Sequence, residues 1–150
     1  MTVLIDTTIL IDHLRGDERA LRLLSDLFNE EDRVWAATPT RTEVAAGLRV
    51  GEEAAMAQLF AILSWVDIDV TVADAAGELA RQYSRSHSGI DTTDYLIAAA
   101  ALSIDARLLT LNVRHYPMIE GLTPPYSLSL ARGPRHVTDR EAVRRSCCGS

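Results

Sequence analysis

Short strand-like segments alternate with segments of helical period along most of this 150-residue chain, and this alternation limits the possible fold most. The strand-like segments lie at 2–5, 34–37, 65–70 and 107–111. Between them, apolar residues recur every three or four positions, as they do in amphipathic helices. Helices are therefore expected at 9–14, 17–28, 39–48, 52–63, 72–85 and 91–102. The alternation predicts an α/β domain with a mainly parallel central sheet.

The folded unit is predicted to end near the two prolines at 124–125. An apolar content of 47% is enough to bury a core, so residues 1–126 are expected to form one domain. Residues 127–150 carry five arginines against two acids and show no clear apolar period. That composition predicts a polar, flexible or weakly helical tail.

The charged residues exclude several function classes. The net charge is −6, and all 15 basic residues are arginine. Without lysine there can be no phosphate-binding P-loop, and a phospho-acceptor receiver domain would lack its lysine. A chain with a net negative charge is also unsuited to binding nucleic acid through its overall charge. A nucleic-acid substrate would require a metal ion or a local arginine cluster to overcome the repulsion.

The chain is expected to work in the cytoplasm. It has no run of about 18 apolar residues that would span a membrane, and Asp6 interrupts the N-terminal apolar run too early for a secretory signal. The cysteines, Cys147 and Cys148, are adjacent in the tail and predict no disulfide framework.

Five oxygen-bearing side chains stand at the ends of strands or near the beginnings of helices: Asp6, Glu43, Asp91, Asp94 and Asn112. In α/β folds, ligands bind outside the carboxyl ends of the strands. These side chains are therefore expected to converge there. Carboxylate and amide oxygens without a histidine or cysteine cluster favour Mg²⁺ or Mn²⁺.

Each of these residues also has a purely structural interpretation. Asp6 and Asp91 could cap helices, and Glu43 could be a first-turn acid that complements the helix dipole. Asn112 could form a turn after a strand. Asp94 is harder to explain as a cap, and only the joint placement of the five favours a site.

Four segments carry a family resemblance, and they are VLIDTTILID (3–12), RTEVAAG (41–47), IDTTDYLIAA (90–99) and LLTLNVRHYPM (108–118). In this order and spacing they resemble the PIN-domain ribonucleases, above all the VapC-type toxins of bacterial toxin–antitoxin pairs. The resemblance covers residues 1–126. It implies a three-layer α/β/α fold and a Mg²⁺- or Mn²⁺-dependent endoribonuclease that leaves a 5′-phosphate and a 3′-hydroxyl.

The resemblance also implies roles for individual residues. Asp6, Glu43 and Asp94 would be the acidic metal ligands, and Asn112 would complete the catalytic set. Thr8 would support the site by hydrogen bonding.

Three further positions have expected roles, of which that of Asp91 follows from the same resemblance and those of Arg114 and His115 from their place just past Asn112. Asp91 would have a supporting role. Arg114 and His115 are candidates for contacting RNA, although a solvated loop would explain them equally well. Because Asn112 and His115 stand where some relatives carry aspartate, tight binding of a second metal ion is not expected.

The expected protein partner is a VapB-type antitoxin that blocks the nuclease, and a homodimer or larger toxin–antitoxin assembly is expected as well. Apolar stripes on two predicted helices offer a docking surface through Leu24, Phe28, Met56 and Phe60. Two alternatives remain open from the residues. One is a degenerate domain that binds RNA or protein without cutting, which Asn112 favours. The other is a small phosphatase, which would normally have a second acid where Thr8 stands.

Overall fold

The structure, a computed structural model, describes residues 1–30 and 33–127. Within these ranges the strands are β1 (Thr2–Ile5), β2 (Arg33–Ala37), β3 (Ser64–Val66) and β4 (Arg107–Leu109). The helices are α1 (Thr7–Leu14), α2 (Glu18–Asn29), α3 (Thr38–Ala46), α4 (Glu53–Ile62), α5 (Val70–Tyr83) and α6 (Thr92–Ser103), and a 3-10 turn, Val113–His115, follows β4. The predicted tail lies outside the described residues from position 128 onward.

The four strands form one parallel sheet in the order β3-β2-β1-β4. In β1, Leu4 is in register with Trp35 on one side and Leu108 on the other. The parallel α/β prediction is therefore confirmed. Since all strands run the same way, their carboxyl ends meet at one edge of the sheet.

Helices cover both faces of the sheet, because side chains along a strand point alternately to opposite faces. Val3 and Ile5 pack into a core cluster with residues of α1, α2 and α4. Leu4 packs into a second cluster with α5 and α6. All three side chains are fully buried, as expected for a parallel strand covered on both faces. The predicted three-layer α/β/α architecture is confirmed.

Two predicted strands are shorter than expected. The 65–70 strand ends at Val66, because Asp69 caps α5 by accepting a hydrogen bond of 2.9 Å from the Val72 amide. The 107–111 strand ends at Leu109, so Asn112 lies three residues beyond it, at the start of the 3-10 turn. No helix in the described part of the chain is long and apolar enough to cross a membrane.

Candidate active site

Asp6 lies at the centre of the candidate site, directly after the buried strand β1. It is the N-cap of α1, and its Oδ1 accepts a hydrogen bond of 2.8 Å from the Thr7 amide. Its Oδ2 accepts hydrogen bonds from the Thr110 hydroxyl at 2.7 Å and the Thr8 hydroxyl at 3.3 Å. The helix-capping interpretation is thus correct for Asp6. Capping alone does not require the carboxylate to be buried, however, and Asp6 is only 5% exposed.

Glu43 is brought to the same edge by α3, which follows β2 without a loop. The Thr7 hydroxyl donates a hydrogen bond to Glu43 Oε2. Glu43 lies in the second turn of α3, and the first turn contains no acid. Its interpretation as a first-turn acid for the helix dipole is therefore wrong, because that interaction is confined to the first turn.

Asp94 approaches from α6, on the opposite face of the sheet from α1. Its Oδ2 accepts a hydrogen bond of 3.0 Å from the Asp91 amide, which makes the two residues a capping box. Asp91, the predicted supporting residue, is the N-cap of α6. Asp94 therefore has a structural role that the sequence interpretation did not anticipate, in addition to its place in the site.

Tyr116 connects two of the carboxylates and was missed at the sequence level. Its hydroxyl lies 3.3 Å from Asp6 Oδ1 and 3.4 Å from Asp94 Oδ1, and the side chain is 1% exposed. Thr7 and Thr110 were also missed. Thr110 had a detectable signal, because it interrupts an apolar run at the end of a strand. Nothing in the local pattern distinguished Tyr116.

The predicted residues after β4 separate into two groups. The Nδ1 of His115 lies 3.0 Å from Asp94 Oδ2 and 2.9 Å from the Asn112 amide nitrogen. The His115 Nδ1 atom donates a hydrogen bond to Asp94 when it carries a proton, and it accepts one from the Asn112 side-chain amide when it does not. Arg114, in contrast, is exposed. The Asn112 backbone N–H donates a hydrogen bond of 3.0 Å to the Thr110 hydroxyl oxygen.

The pKa values of Asp6 and Glu43 are affected by the charges of neighbouring carboxylates. Burial raises the pKa of Asp6, and the charge of Asp94 raises it further, against the hydrogen bonds from Thr110, Thr7 and Tyr116. Burial likewise raises the pKa of Glu43, assisted by the charges of Asp6, Asp94 and Asp91. Such mutual repulsion is relieved by a proton or by a cation.

The chemistry of this donor set fits a hard divalent cation. Asp6, Glu43 and Asp94 supply only oxygen donors, and among the described residues no arginine forms an ion pair with them. However, no three His, Cys, Asp or Glu side chains in the described ranges already stand together as a metal-binding group. The carboxylate oxygens are occupied by hydroxyl and amide donors instead.

Comparisons with known proteins agree with this architecture. The PIN domain family model matches residues 3–118. Ribonuclease VapC19 of Mycobacterium tuberculosis is 49% identical over 123 residues, which cover 82% of this chain and 98% of that protein. Ribonuclease VapC10 of the same organism is 36% identical over 126 residues, covering 84% and 94%.

Solved structures show the same fold at lower identity. A toxin–antitoxin complex from Klebsiella pneumoniae superimposes with a TM-score of 0.71 at 24% identity, over 84% of this chain and 99% of that one. VapBC2 from Rickettsia felis, bound to a DNA fragment from its promoter, gives 0.68 at 20% identity, over 83% and 97%.

Proposed function

The chain belongs to the PIN domain family, and on that premise we propose that it is an endoribonuclease and the toxin of a toxin–antitoxin pair. The convergence of Asp6, Glu43 and Asp94 at the carboxyl edge of the sheet carries the proposal. The charge of Asp94 raises the pKa of Asp6, and the charges of Asp6 and Asp94 raise the pKa of Glu43, although the three residues belong to separate parts of the fold. The identity with two ribonucleases over nearly their whole length supports RNA as the substrate. We also propose that the protein works in the cytoplasm, where a cell holds most of its RNA.

In this proposal Asp6, Glu43 and Asp94 hold one Mg²⁺ or Mn²⁺ ion, since each offers oxygen donors and the three repel one another without a cation. When bound, the ion supplies an activated water and stabilises charge on the phosphodiester. Binding requires the carboxylates to exchange some hydroxyl donors for the ion. Asn112 completes the set as a neutral oxygen donor.

The surrounding hydroxyls hold the carboxylates in place. Thr8 and Thr110 orient Asp6, and Thr7 orients Glu43. Tyr116 lies between Asp6 and Asp94 and spaces them. We assign all four to positioning, because they touch the carboxylates.

Arg114 remains the stronger of the two candidates near Asn112 for contacting RNA phosphate, because its side chain is exposed. We assign His115 to positioning Asp94, which its Nδ1 contacts at 3.0 Å.

The proposed antitoxin-binding surface is narrower than the sequence suggested. Leu24 is 2% exposed and belongs to the core, whereas Phe28 is 36% exposed. On α4, Ile62 is 56% exposed beside a cavity of about 280 Å³ between α1 and α4. Phe28 and Ile62 are thus the anchors we propose for a VapB-type antitoxin. We also propose a homodimer or a larger toxin–antitoxin assembly.

A cleavage assay tests the proposal. The purified protein is incubated with total bacterial RNA and Mg²⁺ or Mn²⁺, beside Asp94→Asn, which preserves side-chain shape and an acceptor for the capping box. We expect discrete cleavage products from the wild type and none from the variant. Binding of RNA without any cleavage would instead support the non-catalytic binding module that Asn112 leaves open.

A further inference from the structure

Arg41 is held in a corner formed by two aromatic rings. Its guanidinium carbon lies 4.5 Å from the ring centroid of Phe60 and 4.5 Å from that of Trp65. The two rings are nearly perpendicular, with an interplanar angle of 79° and centroids 5.0 Å apart. A guanidinium on an aromatic face is attracted by the ring quadrupole, so both rings restrain the Arg41 head group.

The corner is itself anchored to the fold. The Trp65 indole N–H donates a hydrogen bond of 3.1 Å to the Phe60 carbonyl. Phe60 on α4 and Trp65 on β3 both pack against the core cluster beneath α1, α2 and α4. The position of the Arg41 head group is therefore set by the core, and ordering it on binding should cost little entropy.

Within residues 1–30 and 33–127, the N–H donors of this restrained guanidinium have no protein acceptor. Among the described residues no hydrogen bond or ion pair involves the Arg41 side chain, and the residue is exposed. Glu43 is the nearest acid along α3, but residues two apart on a helix do not face each other. Thr7 and α1 lie on the Glu43 side of α3, whereas α4 and β3 lie on the Arg41 side.

Arg41 nevertheless lies at the same end of the sheet as Glu43, although its side chain leaves α3 on another side. Two residues along a helix correspond to about 3 Å along its axis, and Arg41 is the fourth residue of a helix that begins at the carboxyl end of β2. The guanidinium group of arginine is planar and permanently charged, and its forked N–H donors are well suited to binding a phosphate group. Next to acidic groups that repel a nucleic acid, a cation is needed to retain the strand.

We propose that Arg41, held by Phe60 and Trp65, binds a backbone phosphate of the RNA strand on the β3 side of the carboxylate site. This inference rests on the proposed function, because it takes RNA as the substrate. It makes Arg41 an RNA-binding residue and gives Phe60 and Trp65 the task of positioning it.

The test compares Arg41→Gln and Arg41→Lys with a matched control, Arg33→Gln. Arg33 is exposed and begins β2, at the edge of the sheet opposite to the site. Binding of a fluorescein-labelled single-stranded oligoribonucleotide of mixed sequence is measured by anisotropy at several salt concentrations. KM and kcat are measured with whichever RNA the wild type cleaves, and circular dichroism checks that each variant is folded.

Arg41→Gln should weaken binding roughly tenfold, as loss of a charged hydrogen-bond donor does. It should lower the slope of log affinity against log salt by about 0.7, the value for one phosphate on a single strand. KM should rise with kcat nearly unchanged, because the contact is made equally in ground and transition states. Arg41→Lys should recover only part of the affinity, and Arg33→Gln should resemble the wild type.

Unchanged affinity and salt slope in Arg41→Gln would overturn the inference, even if the wild type cleaves RNA as proposed. Weakened antitoxin binding with unchanged RNA binding would overturn it too, in favour of a protein contact. If the wild type fails to cleave but binds RNA through Arg41, the proposed catalytic function fails while this inference stands. A wild type that does not bind RNA at all overturns both.

Discussion

The Tyr116 hydroxyl lies 3.3 Å from Asp6 Oδ1, although 110 residues separate the two in sequence. The same hydroxyl lies 3.4 Å from Asp94 Oδ1, so one phenol is shared by two carboxylates from opposite faces of the sheet. Burial is the main cause that raises the Tyr116 pKa far above its ordinary value, and the charges of Asp6 and Asp94 raise it further. Tyr116 therefore remains a neutral hydrogen-bond donor at neutral pH.

Replacing Tyr116 by Phe should lower the free energy of unfolding by about 1 kcal/mol at neutral pH, because two buried carboxylates lose a donor. Urea denaturation monitored by circular dichroism measures the change. Tyr95→Phe is the matched control, since the Tyr95 hydroxyl is buried and has no hydrogen-bond partner among the described residues. The control should be neutral or stabilising. Equal losses in the two variants would contradict a specific role for the Tyr116 hydroxyl.

Thr110→Val should be more costly, at about 2–3 kcal/mol, because the buried Asp6 Oδ2 loses its shortest hydrogen bond and the Asn112 backbone N–H loses its acceptor. Thr110→Ser should restore most of this loss, since it keeps the hydroxyl. Thr40→Val offers a comparison in the same core, where the Thr40 hydroxyl is fully buried and unpaired within the described residues. The assignment fails if Thr40→Val proves as destabilising as Thr110→Val.

The metal-free protein should gain stability from Asp6 as the pH falls. Burial raises the pKa of Asp6 above its ordinary 3.8, so the folded state binds the proton more readily than the unfolded state. This contribution grows as the pH falls through the raised pKa toward 3.8, and it is lost as the pH rises. His13 acts in the opposite direction, because burial lowers its pKa below 6.5.

Asp6→Asn isolates this effect, since it removes the titrating group and leaves His13 in place. With EDTA present, the difference in Tm between wild type and Asp6→Asn should shift in favour of the wild type as the pH falls from 7.5 toward 4. Differential scanning fluorimetry is sufficient to measure it. A constant difference across this range would show that Asp6 does not titrate as described.

Mn²⁺ should stabilise the protein by about 2.7 kcal/mol at a free concentration one hundred times its Kd. Isothermal titration should give one ion per chain. Glu43→Gln and Asp94→Asn should each reduce the stabilisation, whereas Asp74→Asn, an exposed acid on α5, should not. Asn112→Asp should increase the affinity, because it adds an anionic oxygen. Equal Mn²⁺ stabilisation in all four variants would place the ion elsewhere.

Phe28→Asp and Ile62→Asp should each prevent copurification with an antitoxin encoded beside the gene, because a charge would be buried at the proposed anchors. RNA cleavage should persist in both, since neither residue touches the carboxylates. Val70→Asp is the control, at a side chain that is 77% exposed on the other face of the sheet. Retained copurification in both anchor variants would move the docking surface away from α2 and α4.

The placement of the acids could be predicted because it follows from local pattern and strand direction. Val3, Leu4 and Ile5 are apolar in succession, which predicts a strand buried on both faces, and Asp6 comes directly after it. Once the strands are parallel, their carboxyl ends must share one edge. The sequence therefore determined that Asp6, after β1, and Glu43, on the helix directly after β2, would lie at that edge, whereas Asp94 is on α6, which follows α5 and not a strand.

Only the tertiary structure decided what surrounds those acids. Thr110 and Tyr116 contact Asp6 across sequence separations of 104 and 110 residues. The aromatic corner around Arg41 is formed by residues of two other elements, α4 and β3. Such contacts depend on how helices pack against the sheet and on which rotamers that packing allows. A local pattern specifies the face on which a side chain lies, whereas its distant partner is set by long-range packing.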